Sequence, residues 1–304
     1  MNSFSRKVVI IMPKTNEIRH RILAIEQTRK ITGAMEMVSS IRMNQVMGHI
    51  EQNRLYFANI RRTMKELLIT SQDTSHPYLV GRPRHHTTYM VISGDKGLCG
   101  SHNSAVLNFT LKRIKETPGA ALITLGNTAE DFFHSRGMTP DITFLGIVKG
   151  PTLEKAREVA EVLTSLYERE LTDDLRIIFT SFYDATRGKP VEFRLLPIML
   201  HDYEDVRDAE TLQEILYHPS AQTVLDILVP QYIIGLVFGV MVQAYASEHL
   251  ARMNAMHSAT TNAQEILSDL RIKFNLARQD AITNELAEIT GAAEVLSRQV
   301  RNWE

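Results

Sequence analysis

A chain of 304 residues, 44% hydrophobic and 23% charged, is long enough for one or two cores and carries no bias toward disorder. Its formal net charge of −1 excludes a global electrostatic pull toward nucleic acid or a membrane surface, so charge-based function is confined to local patches. The single cysteine, Cys99, excludes an internal disulfide framework and a cysteine-cluster zinc site, and fits a reducing compartment.

From the N-terminus, the first apolar run is only Val8 to Met12. That is too short for a signal-peptide core and lacks the Arg- and Ser-rich pattern of a transit peptide, so a bacterial-type cytoplasmic protein is expected. All ten prolines then avoid two stretches, 14–76 and 231–304, while ten of the fifteen glycines lie between Gly81 and Gly188. Proline breaks helix interiors, so the two proline-free stretches predict long helices, placed at 16–70 and 222–301. In the first, Ile18, Ile22 and Ile25 open a seam continued by Thr32 and Met35.

The middle alternates short apolar runs with helical segments. Strands are expected at 89–93, 120–125, 141–145, 175–183 and 191–200, with a helix over 152–171 and a turn at 184–190. That alternation argues for a mainly parallel sheet covered by helices. Farther on, Tyr232 to Val242 is uncharged and holds the pair Gly235 and Gly239. Extending it to a spanning length takes in Asp226, Pro230 and Gln231, so a helix packed inside the protein is the better account than a membrane span.

The last stretch has the clearest pattern. Met253, Met256, Thr260, Ala263, Leu267, Leu270, Phe274, Ala277 and Ala281 follow 3-4 spacing, the stripe of a coiled coil. Two such seams at opposite ends of one chain pair antiparallel if the middle folds back. The fold expected is therefore α/β plus long helices: an antiparallel coiled coil of the N- and C-terminal helices with an inserted, mainly parallel, Rossmann-like α/β domain. Its boundaries fall at 1–76, 77–218 and 219–304. The second helix outreaches the first, and its end carries Ala292, Ala293, Val295, Leu296, Val300 and Trp303. An apolar tip without a partner helix predicts a sleeve-like partner.

Catalytic chemistry is hard to find. Gly94 to Gly100 reads GxxGxxG after a strand, neither the dinucleotide nor the P-loop spacing, with Lys96 before the loop's close. A structural turn, or a loop offered to a protein partner, fits better than a nucleotide site. Cys99 with His102 forms no thiol-enzyme signature and reads as a buried small apolar residue. His249, Met253 and His257 recur every four residues without an HExxH frame and read as packing, and His85-His86 has no carboxylate beside it. No catalytic residue, cofactor site or metal site is expected. Between Glu17 and Glu66 nine basic residues face five acidic ones, a net +4 that could slide on an acidic partner.

Five segments carry a resemblance. Ile18 to Ile22 with Lys30-Ile31-Thr32-Gly33-Ala34-Met35-Glu36-Met37-Val38, the loop Ser93 to Gly100, Ser247-Glu248-His249-Leu250-Ala251-Arg252-Met253, Ala259-Thr260-Thr261-Asn262-Ala263, and Asn275-Leu276-Ala277-Arg278-Gln279-Asp280-Ala281-Ile282-Thr283-Asn284-Glu285-Leu286 resemble, in order, motifs of the gamma subunits of F-type rotary ATP synthases. The resemblance implies a central-stalk rotor without catalytic residues of its own. It would couple ion flow through the membrane sector to rotational catalysis. Its partners would be the alpha and beta subunits of the hexamer, the epsilon subunit and the c-ring, with no nucleic acid and with membrane contact only through the complex, at the cytoplasmic face of a bacterial plasma membrane. It also implies that Arg278, Gln279, Thr283 and Glu285 touch beta subunits, and that Lys96, Gly97 and Leu98 face the hexamer's lower edge. Two departures mark the chain: Ile289-Thr290-Gly291-Ala292-Ala293 follows one residue early, and Ser39-Ser40-Ile41-Arg42 and Asn44-Gln45 thin the usual basic run. They suggest an atypical branch. The alternatives left by the residues themselves are a coiled-coil scaffold and an enzyme with a doubly wound domain.

Overall fold

A computed structural model describes residues 5–70, 76–79, 81–83, 86–182, 188–199 and 220–301. The expectations at His85, at positions 184–187 of the turn, at Trp303 and at the boundary between 218 and 219 lie outside the described residues, as do the side chains of Leu296 and Val300. The chain forms two compact units, Met1–Glu36 with Met256–Glu304, and Met37–Ala255.

Two helices run through both. Helix α1 covers Ser5–Thr70 and α5 covers Ala221–Arg301, 66 and 81 residues. At 1.5 Å per residue these are roughly 100 and 120 Å long. Thus α1 starts eleven residues before the expected position 16, taking in Pro13 near its beginning. Pro230 lies inside α5. A proline there removes one backbone hydrogen bond at a cost of about 3 kcal/mol. Burial of its neighbours Val229 and Ile233, both 0% exposed, offsets that cost.

In the first unit the helices pair antiparallel. Thr260 donates its hydroxyl to Thr32 Oγ1 (2.8 Å), His257 Nδ1 meets Glu36 (2.9 Å), and Arg271 Nη2 reaches Glu26 (2.8 Å), so numbers rise on α5 as they fall on α1. Along α5, Met256, Ala263 and Leu267 are buried while Thr260, Leu270, Phe274, Ala277 and Ala281 are half-buried, as the 3-4 spacing requires. On α1 within this unit the less exposed positions are 15, 18, 22, 25, 29, 32 and 36, a 3-4 series, with 26, 33 and 35 beside it. The sequence seam broke at Arg29 because a charged residue occupies that place in the register.

The second unit is built on a five-stranded sheet ordered β3-β2-β1-β4-β5. The strands are β1 Thr87–Ile92, β2 Ala121–Leu125, β3 Ile142–Phe144, β4 Asp174–Ser181 and β5 Lys189–Leu196. The first three pairings in that order are parallel and β4–β5 is antiparallel. Pro190, expected in the turn, belongs to β5; it is tolerated because β5 is the edge strand of the sheet among the described residues.

Side chains alternate across each strand. Tyr89, Val91, Leu122 and Ile178 face helices α2 (His102–Glu116) and α3 (Asn127–His134) through Val106, Leu107, Ala129 and Phe133. Met90, Ile92, Ile123, Leu125, Ile177 and Phe179 face the opposite way, onto α4 (Leu153–Glu168) and the first part of α5. Thr152 caps α4 by accepting from the Lys155 amide at 3.3 Å, so the helix starts one residue after the expected 152, and it ends at Glu168 rather than 171. An eighteen-residue window of α5 reaches a mean hydropathy of 2.0, apolar enough to cross a bilayer. In the fold Tyr232 to Val242 contains no exposed residue, and Tyr232, Ile233, Val237 and Val240 lie in the core beneath the sheet.

Candidate functional site

In a doubly wound sheet, ligands collect outside the strand C-termini where the chain order reverses, here between β1 and β4. The loop Gly94–Gly100 leaves β1 at that place. It is anchored from α2, α3 and α5. The Gly94 amide donates to Asn103 Oδ1 (3.0 Å), whose Nδ2 donates back to the Lys96 carbonyl (3.3 Å). Asp95 Oδ1 accepts from the Asn127 amide (3.2 Å). From α5, Arg252 donates to the carbonyls of Lys96 (3.2 Å) and Gly97 (3.3 Å) and pairs with Glu248 at 2.5 Å.

These contacts leave the tip outward. Lys96, Gly97 and Leu98 are exposed, Leu98 by 62%, while Cys99 is 2% exposed beneath them. Leu98 adopts φ 61°, a left-handed conformation that costs a non-glycine residue about 1 kcal/mol. A loop that keeps such a residue at its exposed tip is over-determined by its anchors.

The electrostatics beneath the loop follow from burial. Desolvation pushes the Glu248 carboxyl up, opposed by Arg252. Burial, reinforced by Arg252, lowers His102 to about 4; His249 is also lowered to about 4, by burial and then by Arg252, Arg42 and His102. Both imidazoles are therefore neutral at pH 7, and His249 stacks edge-on against Tyr245 at 4.4 Å. Burial also raises the Cys99 thiol, opposite to what a nucleophile needs. The crevice where a nucleotide would sit is filled by α5. A Cβ on Gly94 would lie 2.7 Å from Glu248 Cδ. His249 and His257 have different surroundings, the first buried and the second exposed against Glu36, and among the described residues no group of three metal-ligating side chains forms.

The second expected set lies on α5 on either side of Ala281, the last half-buried seam residue. Arg278, Gln279, Thr283 and Glu285 are all exposed. At about 100° per residue, Gln279 and Thr283 share the face opposite the seam while Arg278 and Glu285 flank it. From Ile282 through Val295 every residue is exposed, including Ile282, Leu286, Ile289 and Val295 at 48 to 61%. The two sets belong to different units.

This combination of a paired helical shaft, a bare apolar tip and a clamped loop matches known proteins. The ATP synthase family profile covers residues 14–296. The ATP synthase gamma chain of Heliobacterium modesticaldum is 35% identical over 94% of this chain and the whole of its own length.

The chain belongs to the ATP synthase gamma-chain family.

The gamma chain of Enterococcus faecalis is likewise 35% identical, over 92% of this chain and 98% of its own. Two solved structures share the fold at lower identity. One is the Euglena gracilis mitochondrial ATP synthase OSCP/F1/c-ring assembly, with 18% identity, 93% and 95% coverage and TM-score 0.67. The other is the Tetrahymena thermophila mitochondrial ATP synthase central stalk/c-ring, with 22%, 75% and 99% coverage and TM-score 0.59. Within the family frame, sequence reasoning assigned the exposed tip Lys96–Leu98 but not the residues that hold it. Arg252, Glu248 and Asn103 had no expected role. The available signal was charge: residues 227–247 contain no Asp, Glu, Lys or Arg, so an i, i+4 Glu–Arg pair closing that run had to be an inward one.

Proposed function

We propose that this chain is the central-stalk rotor of an ATP synthase, turning inside an alpha-beta hexamer and coupling ion flow to catalysis on the hexamer. The observation that carries the reading is the end of the seam. After Ala281 no residue up to Val295 is covered, although Ile282, Leu286, Ile289 and Val295 are large and apolar. Surface of that kind marks a binding face, and a lone helix exposed on every side calls for a partner that surrounds it. Arg278, Gln279, Thr283 and Glu285 make the polar contacts with beta subunits on this helix. Lys96, Gly97 and Leu98 meet the hexamer's lower edge.

The chain supplies no catalytic residue. Supporting this, the strand-end crevice is filled by Glu248 and Arg252, and the one thiol is buried with its pKa raised. The epsilon subunit and the c-ring bind the α/β domain, and the assembly lies at the cytoplasmic face of a bacterial membrane as a peripheral complex. Segments 1–76, 77–218 and 219–304 act as first shaft helix, domain and second shaft helix. The test is co-purification with a nucleotide-hydrolysing hexamer, and ion-driven synthesis by the reconstituted complex. Truncation after Ile282 is expected to weaken coupling while the α/β domain stays folded. A chain that joins no hexamer, or a truncation that leaves synthesis unchanged, overturns the reading.

A further inference from the structure

One face of α5 follows the whole Gly94–Gly100 loop. Glu248 packs on Gly94, Arg252 reaches Lys96 and Gly97, and Ala255 Cβ stands 4.0 Å from where a Cβ on Gly100 would be. Positions 248, 252 and 255 are spaced four and three apart, so they form a single stripe. Glu248, Arg252 and Cys99 are 7%, 8% and 2% exposed, so the contact is dry. A guanidinium suits this place because its planar fork can serve several acceptors at once. Here it spans a carboxylate and two backbone carbonyls.

We propose that Arg252 is a positioning residue: it locks the exposed Lys96–Gly97–Leu98 tip to α5, so that tip and shaft helix turn as one body. The inference rests on the rotor reading for its consequence and on geometry alone for the lock. Glu248 neutralises Arg252 and fills the space that Gly94 leaves open. Asn103 holds the loop's other side through Gly94 and Lys96. With the lock released, partner force on the tip moves the loop before it moves the helix, and coupling is lost before binding is.

Cys99, the chain's single cysteine, reports on the lock because it lies under the tip with Sγ 4.0 Å from the Lys96 carbonyl. Two variants keep charge balanced beneath the loop. R252K leaves a cation for Glu248 but cannot span both carbonyls, and E248Q/R252Q removes both charges together. In the full-length chain by itself, Cys99 alkylation at pH 8 is expected to rise at least threefold in both variants. It should stay within twofold of wild type in L267A, which loosens the seam instead. In the reconstituted complex the ratio of ion-driven synthesis to ATP hydrolysis is expected to fall at least fivefold. A smaller rise in alkylation in either variant overturns the lock, and an unchanged ratio with a loosened loop overturns its role in coupling. Failure of the wild-type chain to join a hexamer overturns the rotor reading alone, since the alkylation measurement still decides the lock.

Discussion

Gly126 joins β2 to α3 with φ 98° and ψ 144°, and a Cβ there would lie 2.4 Å from the Ser93 carbonyl oxygen. Gly126→Ala therefore combines two penalties. The backbone angle is one that L residues avoid, at a cost of about 1–3 kcal/mol. The overlap is with backbone, which cannot rotate away, and forced packing of that kind costs about 1–3 kcal/mol more. Ser93 is also fixed from behind, its amide bonded to the Leu125 carbonyl at 2.9 Å. Gly119→Ala is the matched control, because Gly119 has φ 83° but nothing within 4 Å of the added methyl. Its loss is the conformational share alone, about 1–2 kcal/mol. Urea unfolding followed by near-UV circular dichroism of the packed tyrosines, such as Tyr89 and Tyr167, measures both. Gly126→Ala is expected to lower stability by at least 1 kcal/mol more than the control, with an unchanged dependence on urea. Equal losses in the two variants would refute the claim that Ser93 and Gly126 are held in contact.

Two further outcomes follow from burial. His102 and His249, lowered to about 4 from an unfolded value of 6.5, take up protons more readily in the unfolded chain across that interval. The stability they contribute is therefore full above pH 6.5 and falls as pH drops toward 4. Glu248 acts in the opposite sense because its carboxyl is raised. Calorimetry of H102Q/H249Q beside wild type isolates the histidines, and the double variant should lose less stability between pH 7 and 5; an equal loss contradicts neutral burial. In the seam, Leu267→Ala removes a side chain that is 1% exposed and is expected to cost about 2–4 kcal/mol. Ile266→Ala, at 46% exposure, should stay within about 1 kcal/mol, and equal thermal shifts would contradict the seam register.

The presence of two long helices, the α5 seam and the sheet class were written in the sequence because each depends on periodicity and punctuation. Every residue of the 3-4 stripe from Met253 to Ala281 is buried or half-buried on α5, since a helix repeats its direction every three to four residues whatever it packs against. Strand ends at Pro190 and the start of α1 at Ser5 were not legible, because proline is excluded only where its missing donor is needed. An edge strand makes that demand at fewer positions. That Gly94 to Gly100 turns after β1 could be read from its glycines. What holds it could not, because Arg252 lies 155 residues from Gly97 in the chain and only folding brings α5 over the end of β1. Local sequence sets which way each side chain faces along its own element. Which element it meets is decided by the order of the sheet, and there the buried Glu248–Arg252 pair acquires its loop.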